Sequence, residues 1–216
     1  MVLTLVGSSL SGCTKRVMIV LYEKQVPFKH VEIDFSKGEH LTPAYLEKQP
    51  FGKVPYIDDG GYILYESRAI CRYIEEKYAD QGTQGLIPTE PQARGLFEQA
   101  VSVEVSNFDP FASKAGYEML IKPHHEGKPS DPQVFASLIA TLEKSLDVYE
   151  KILSKQAYLA GDSITLADLF HIPSASLLPT AGSNAMQTRP NVARWIKALA
   201  DRPSWKTVLK GLPSRG

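Results

Sequence analysis

Residues 49–68 read Gln-Pro-Phe-Gly-Lys-Val-Pro-Tyr-Ile-Asp-Asp-Gly-Gly-Tyr-Ile-Leu-Tyr-Glu-Ser-Arg. They predict a loop, a strand from Val54, an Asp-Asp-Gly-Gly turn at 58–61, a second strand over Tyr62–Tyr65 and a helix opened by Glu66-Ser67. Two apolar runs separated by such a turn signal a hairpin. Ser67 is expected to cap the helix, along which Ile70, Tyr73, Ile74 and Tyr78 recur at three- and four-residue steps. The amides and hydroxyl of a helix start suit a carboxylate, and Glu66 suits an ammonium, so together they suit an amino acid. Val54-Pro55 adds a second cue, because a cis proline there would turn the preceding backbone groups outward to pair with a peptide-like ligand. The stretch is suited to a small peptide.

Upstream, residues 2–6 are a short apolar run closed by Gly7, read as a buried strand. Residues 15–24 carry Val17, Val20 and Leu21 on one helical face, and residues 28–33 read as a second strand. A polar loop with Gly38 spans 34–40, and a short helix follows over 43–48. The order βαβ and then ββα is that of a thioredoxin-like fold.

Downstream, residues 79–91 are rich in Gly, Gln, Thr and Pro and lack apolar periodicity, as a linker does. The remainder reads as helical. Phe135, Leu138, Ile139, Leu142, Leu146, Tyr149 and Leu153 form the stripe of a long bundle helix, set off from the helix before it by the prolines and glycine within 122–132. Thr165 and Asp168 have capping-box spacing, so Asp168 is read as a structural cap and not as a catalytic acid. Val192, Trp195, Ile196 and Leu199 mark a further helix after Pro190. The expected fold class is α/β plus all-α: a thioredoxin-like domain over 1–78, a linker over 79–90 and a helical-bundle domain over 91–216.

The 24 basic and 24 acidic side chains cancel, which argues against a nucleic-acid surface or an anionic-membrane surface. No apolar run approaches the roughly 20 residues that cross a bilayer, and the start lacks the pattern of a signal peptide. Cys13 and Cys71 are too few for a disulfide framework, so a reducing compartment and a cytoplasmic location are expected. His124 and His125 have no metal-ligand partners at useful spacing, and no metal or prosthetic group is expected.

Ser8-Ser9-Leu10-Ser11-Gly12-Cys13-Thr14-Lys15-Arg16 bridges the first strand and the first helix. Such turns usually serve as simple caps. A hydroxyl at this helix start can also donate to an incoming sulfur. Cys13 offers a different chemistry, since a thiol at a helix start can itself attack a disulfide.

Pro-Phe-Gly-Lys-Val-Pro followed by Glu-Ser-Arg-Ala-Ile resembles the glutathione-binding half of a cytosolic glutathione transferase, closest to the phi-like group, and the likeness extends over almost the whole chain. The resemblance implies glutathione as co-substrate and conjugation of its thiolate to small hydrophobic electrophiles, in the manner of detoxification enzymes. It implies that Glu66 and Ser67 bind the γ-glutamyl end and that the main chain of Val54, ahead of Pro55, pairs with the cysteinyl unit. The resemblance also implies that His40 and Lys53 lie beside the glycine carboxylate, although plant phi-like chains often carry lysine where this chain has Leu41 and glutamine where it has Lys53. The catalytic serine of the group stands five residues before the arginine that is Arg16 here, which assigns the role to Ser11, with Ser9 as the fallback.

The resemblance also implies a homodimer in which Phe51 inserts into the partner. An apolar acceptor pocket is expected between the domains, with Leu10, Phe35, Phe108, Phe111, Tyr117 and Met119 as lining candidates. Three alternatives stand beside conjugation: a glutathione-dependent peroxidase or thiol transferase using Cys13, a non-catalytic carrier of hydrophobic ligands, and an assembly module like the elongation factor gamma subunit. The end of the chain at Gly216 argues against the last.

Overall fold

The structure is a computed structural model that describes residues 2–125 and 127–211. Strand β1 (Leu3–Val6) leads into α1 (Gly12–Glu23) and β2 (Phe28–Val31). The expected polar loop is wound into two 3₁₀ turns, Phe35–Lys37 and Glu39–Leu41, ahead of α2 (Pro43–Leu46). Then come β3 (Tyr56–Asp59), β4 (Tyr62–Tyr65) and α3 (Ser67–Lys77). The sheet order is β2-β1-β3-β4, with β1 parallel to β2 and the other two pairings antiparallel.

Two strand limits differ from expectation. The ladder of β3 begins at Tyr56 and not at Val54, since Pro55 has no N–H to give it. β2 stops at Val31 because its partner β1 ends at Val6, and Gly7 closes the pair by donating its N–H to the Val31 carbonyl at 3.0 Å.

A second unit, Ile87–Asp201, is helical. It comprises α4 (Pro91–Val103), α5 (Asp109–Gly116), α6 (Lys122–His125), α7 (Pro132–Leu153), α8 (Leu166–Leu177) and α9 (Pro190–Ala200). Wide π-type turns over Glu104–Phe108 and Tyr117–Ile121 join α4 to α5 and α5 to α6. Each stands two residues ahead of a proline, Pro110 or Pro123, whose missing N–H interrupts the regular ladder. The core gathers Phe97, Phe108, Leu142, Leu146, Tyr149, Phe170 and Trp195. Only the second half of the α7 stripe is fully buried, while Phe135, Leu138 and Ile139 are half-buried.

The capping box at α8 is present: the Asp168 carboxylate accepts from the Thr165 N–H at 2.9 Å, and also from the Leu159 N–H at 3.0 Å and Trp195 Nε1 at 2.9 Å. Among the described residues no helix is long and apolar enough to cross a membrane.

The last helix, α10 (Pro203–Leu209), belongs to the first unit, which among the described residues takes 2–86 and 202–211. It packs on α1, burying Trp205 and Val208. Arg202 grips the Glu23 carboxylate through Nε at 2.6 Å and Nη2 at 2.7 Å, while the Ser204 and Thr83 hydroxyls donate to it at 2.5 Å. Lys24, wholly buried, reaches Glu75 at 2.9 Å and the Ala79 and Thr83 carbonyls at 3.2 and 2.9 Å.

These bonds correct two limits read from the sequence. Residues 79–86 are built into the first unit, and the helical domain does not keep its final helix. The burial of Val17 through Leu21 around the whole of α1 follows from packing against both α3 and α10.

Candidate glutathione site

Register places the candidate residues. β1 and β4 are each antiparallel to β3, so they run the same way, and β2 runs with β1. Val31, Val6, Tyr56 and Tyr65 therefore form one row across the sheet, at the edge from which α1 and α3 depart. The 3₁₀ turns after β2 and the loop before β3 lie against the same edge. Three stretches distant in sequence, 8–16, 32–41 and 51–67, meet there.

Ser11 is the N-cap of α1, and its Oγ accepts the Thr14 N–H at 3.4 Å. Its own proton is not consumed by the cap. Ser9 is held differently: its N–H donates to the Glu32 carboxylate at 2.8 and 3.1 Å. It also lines a cavity of about 160 Å³ with Lys15 and Val208, on the α10 side of α1. Burial lowers the pKa of Lys15 from the usual lysine range. Cys13 is half-buried, its Sγ 3.5 Å from Arg16 Nη1. Cys71, by contrast, is completely buried, and burial pushes its thiol up to about 12 despite the nearby arginines.

At the start of α3 the expected cap moves by one residue. Glu66 occupies the N-cap position with φ 70°, and it makes no side-chain cap bond. A non-glycine residue at positive φ is uncommon and concentrates at functional sites. Ser67 is the first helical residue, buried, with its Oγ accepting from Arg16 Nη1 at 3.0 Å. Its hydroxyl is thus not spent on the helix. The Glu66 carboxylate is exposed beside it.

The Val54–Pro55 peptide is cis. Val54 lies ahead of the first paired residue of β3, so its main-chain groups stand outside the ladder. The loop before it is pinned from within: Gln49, 1% exposed, accepts the Phe51 N–H at 2.8 Å and the Lys53 N–H at 3.1 Å. The Tyr45 hydroxyl donates to the Lys53 carbonyl at 2.6 Å. The side chains of Lys53 and Phe51 are left exposed, Phe51 at 68%. His40 meets Phe35 edge-on at 4.9 Å, and its buried Nδ1 has no hydrogen-bond partner among the described residues.

The remaining candidates separate. Leu10 is exposed beside Ser11, and Phe35 is half-buried against His40. Phe108 is not a wall residue: it is fully buried, 4.5 Å from His171 and 6.1 Å from Tyr149, because the wide turn that ends there drives its ring into the bundle core. Phe111 lines a groove in the second unit, Tyr117 is exposed and Met119 half-buried. The side chain of His125 lies outside the described residues. Among the described residues no group of three or more His, Cys, Asp or Glu is arranged to hold a metal ion.

Sequence reading did not assign a role to Arg16, Gln49 or Glu32. A signal existed for Arg16 alone, a charged residue immediately before the apolar run Val17–Leu21, for which 2% exposure is the outcome.

One sheet edge that offers two helix starts and an unpaired strand approach defines a thioredoxin-like domain. Comparison with known proteins takes this further. The chain matches the family of glutathione S-transferase N-terminal domains over residues 5–82 and that of glutathione S-transferase C-terminal domains over residues 108–203. It is 46% identical over 209 residues to glutathione S-transferase hmp2 of Hypomyces subiculosus, covering 95% of this chain and 96% of that protein. The crystal structure of glutathione transferase F2 from Populus trichocarpa superposes with a TM-score of 0.92 at 40% identity, covering 96% and 97% of the two chains. Glutathione S-transferase I from mais, solved with an atrazine glutathione conjugate, gives 0.86 at 30% identity, covering 97% of each chain. The chain belongs to the glutathione S-transferase family, in its phi-like branch, and is a transferase that joins the glutathione thiolate to hydrophobic electrophiles.

Proposed function

We propose that glutathione lies along the sheet edge, its γ-glutamyl end at Glu66 and Ser67 and its sulfur at Ser11. The observation that carries this reading is the row Val31–Val6–Tyr56–Tyr65, which gathers three separate stretches at one edge. The Ser67 hydroxyl and the first amides of α3 receive the carboxylate, and Glu66 receives the ammonium. The Val54 main chain pairs with the cysteinyl unit, and His40 and Lys53 face the glycine carboxylate.

Ser11 donates to the sulfur and favours the thiolate. A free thiol ionises near pH ~8.5, and a helix N-terminus lowers this by about one to several units. Each unit is worth about 1.4 kcal/mol of preference for the charged form. The thiolate then attacks an electrophilic carbon, with exposed Leu10 offering apolar contact to the acceptor. A crystal soaked with glutathione tests the assignment: sulfur within hydrogen-bond reach of Ser11 Oγ supports it, and sulfur against Cys13 overturns it.

The contact of Cys13 with the Arg16 guanidinium favours a second reading, thiol transfer through Cys13. It predicts a glutathione adduct on that sulfur.

A homodimer is part of the same proposal. Phe51 is a large apolar side chain held outward on a pinned loop. The second unit carries a groove of about 390 Å³ between α4–α5 and α7, walled by Val103, Phe111, Val148 and Tyr149, which suits the aromatic ring of another copy. Two unpaired cysteines fit a reducing cytoplasm, where conjugation would serve removal of foreign electrophiles.

A further inference from the structure

We propose that Arg16 is a positioning residue for glutathione binding, aiming the Ser67 hydroxyl at the ligand's carboxylate and joining the two helix starts of the site. This rests on the reading that Ser67 receives that carboxylate.

Arg16 stands on α1 at 2% exposure, directly before Val17, Met18, Ile19, Val20 and Leu21, none more than 1% exposed. Taking a guanidinium out of water is costly, and an apolar side chain would serve packing better. Two of its contacts lie at the candidate site. Nη1 donates to Ser67 Oγ at 3.0 Å, across 51 residues of sequence, and lies 3.5 Å from Cys13 Sγ. One nitrogen therefore touches the first turns of both α1 and α3.

A serine hydroxyl has one proton and two acceptor lone pairs. Arg16 occupies the oxygen from the α1 side, which leaves the proton to point away from the guanidinium. Ser67 has no competing duty as a cap, because Glu66 holds that position. A hydroxyl polarised by a cation behind it, at the positive end of a helix, is a strengthened donor to an anion. Lysine would keep the charge but lose the fixed planar fork.

The test uses the full-length enzyme with Arg16→Lys, Ser67→Ala and the double variant. Glutathione affinity is measured by calorimetry, and kcat and KM with an aryl halide acceptor. Arg16→Lys is expected to raise the glutathione Kd and KM about tenfold, with kcat at saturating glutathione held within about twofold. In the Ser67→Ala background the same change should add less than about twofold, because the group it positions is gone. An unchanged Kd in Arg16→Lys, or full multiplication of the two losses, overturns the proposal while leaving Ser67 as a ligand. An unchanged Kd in Ser67→Ala overturns the underlying reading instead.

If Arg16→Lys does not fold, arginine side-chain nitrogen resonances decide the matter without an Arg16 variant. The Arg16 signals should shift when glutathione is added to the wild type and stay in place in Ser67→Ala. No shift in the wild type overturns the proposal.

Discussion

The Ser11 hydroxyl oxygen accepts the Thr14 N–H at 3.4 Å, so the cap of α1 is made with a lone pair and the proton remains to be given elsewhere. A bond from that proton to glutathione's sulfur strengthens as the sulfur becomes charged. Ser11→Ala is expected to raise the pKa of the bound thiol by about one unit or more and to slow conjugation about tenfold near pH 6.5, with recovery at higher pH. Glutathione affinity should change little. Cys13→Ser should leave conjugation nearly intact. Stopped-flow measurement of thiolate absorbance against pH checks both, and full activity of Ser11→Ala from pH 6 to 8 would reject the assignment.

Phe51 should govern assembly. Sedimentation at micromolar concentration should give about twice the 23.9 kDa chain mass. Phe51→Ala should shift the protein towards monomer, as should Val148→Glu in the α4–α7 groove. A wild type that sediments as a monomer would refute the pairing.

The Glu23–Arg202 pair should make stability depend on pH. Burial raises the Glu23 pKa, but hydrogen bonds from Arg202, Ser204 and Thr83 and the Arg202 charge outweigh it, and the net pKa is lowered. A depressed carboxylate stabilises the fold above its unfolded pKa of about 4.3, and that contribution is lost as pH falls through the lower folded value. Arg202→Ala is expected to cost about 3 kcal/mol at pH 7 and clearly less near pH 3. Urea denaturation of both proteins at the two pH values measures this. An equal loss at each would assign the effect to packing.

Asp168 is completely buried and accepts from the Thr165 and Leu159 amides and from Trp195 Nε1. Asp168→Ala leaves these donors unpaired and removes the N3 half of the capping box of α8, a loss of about 3 kcal/mol or more. Conjugation per folded molecule should not change. A variant that keeps wild-type stability but loses activity would give Asp168 a catalytic role.

The hairpin at 56–65 and the helix after it were legible, apart from the strand's first residue, because alternation, a Gly-rich turn and helical spacing are local patterns. The same holds for Thr165 and Asp168, where the cap lies within one turn of chain. Ser67 was misread by one position, since serine is a general preference for caps and the positive φ at Glu66 has no pattern of residue types behind it. Phe108 looked like a pocket residue only because aromatic spacing does not say which way a wide turn rotates a ring.

The sequence by itself determined the strand and helix order of residues 2–77, the family and the residue types available for an amino-acid ligand, because these are legible in short local patterns and motifs. Tertiary structure alone decided that α10 returns to α1 through Glu23, Arg202 and Ser204, and that Arg16 reaches across to Ser67. Both are contacts between residues far apart in the chain. Their energy comes from satisfying charges that folding has taken out of water, and the need for each partner arises only when packing has buried the other.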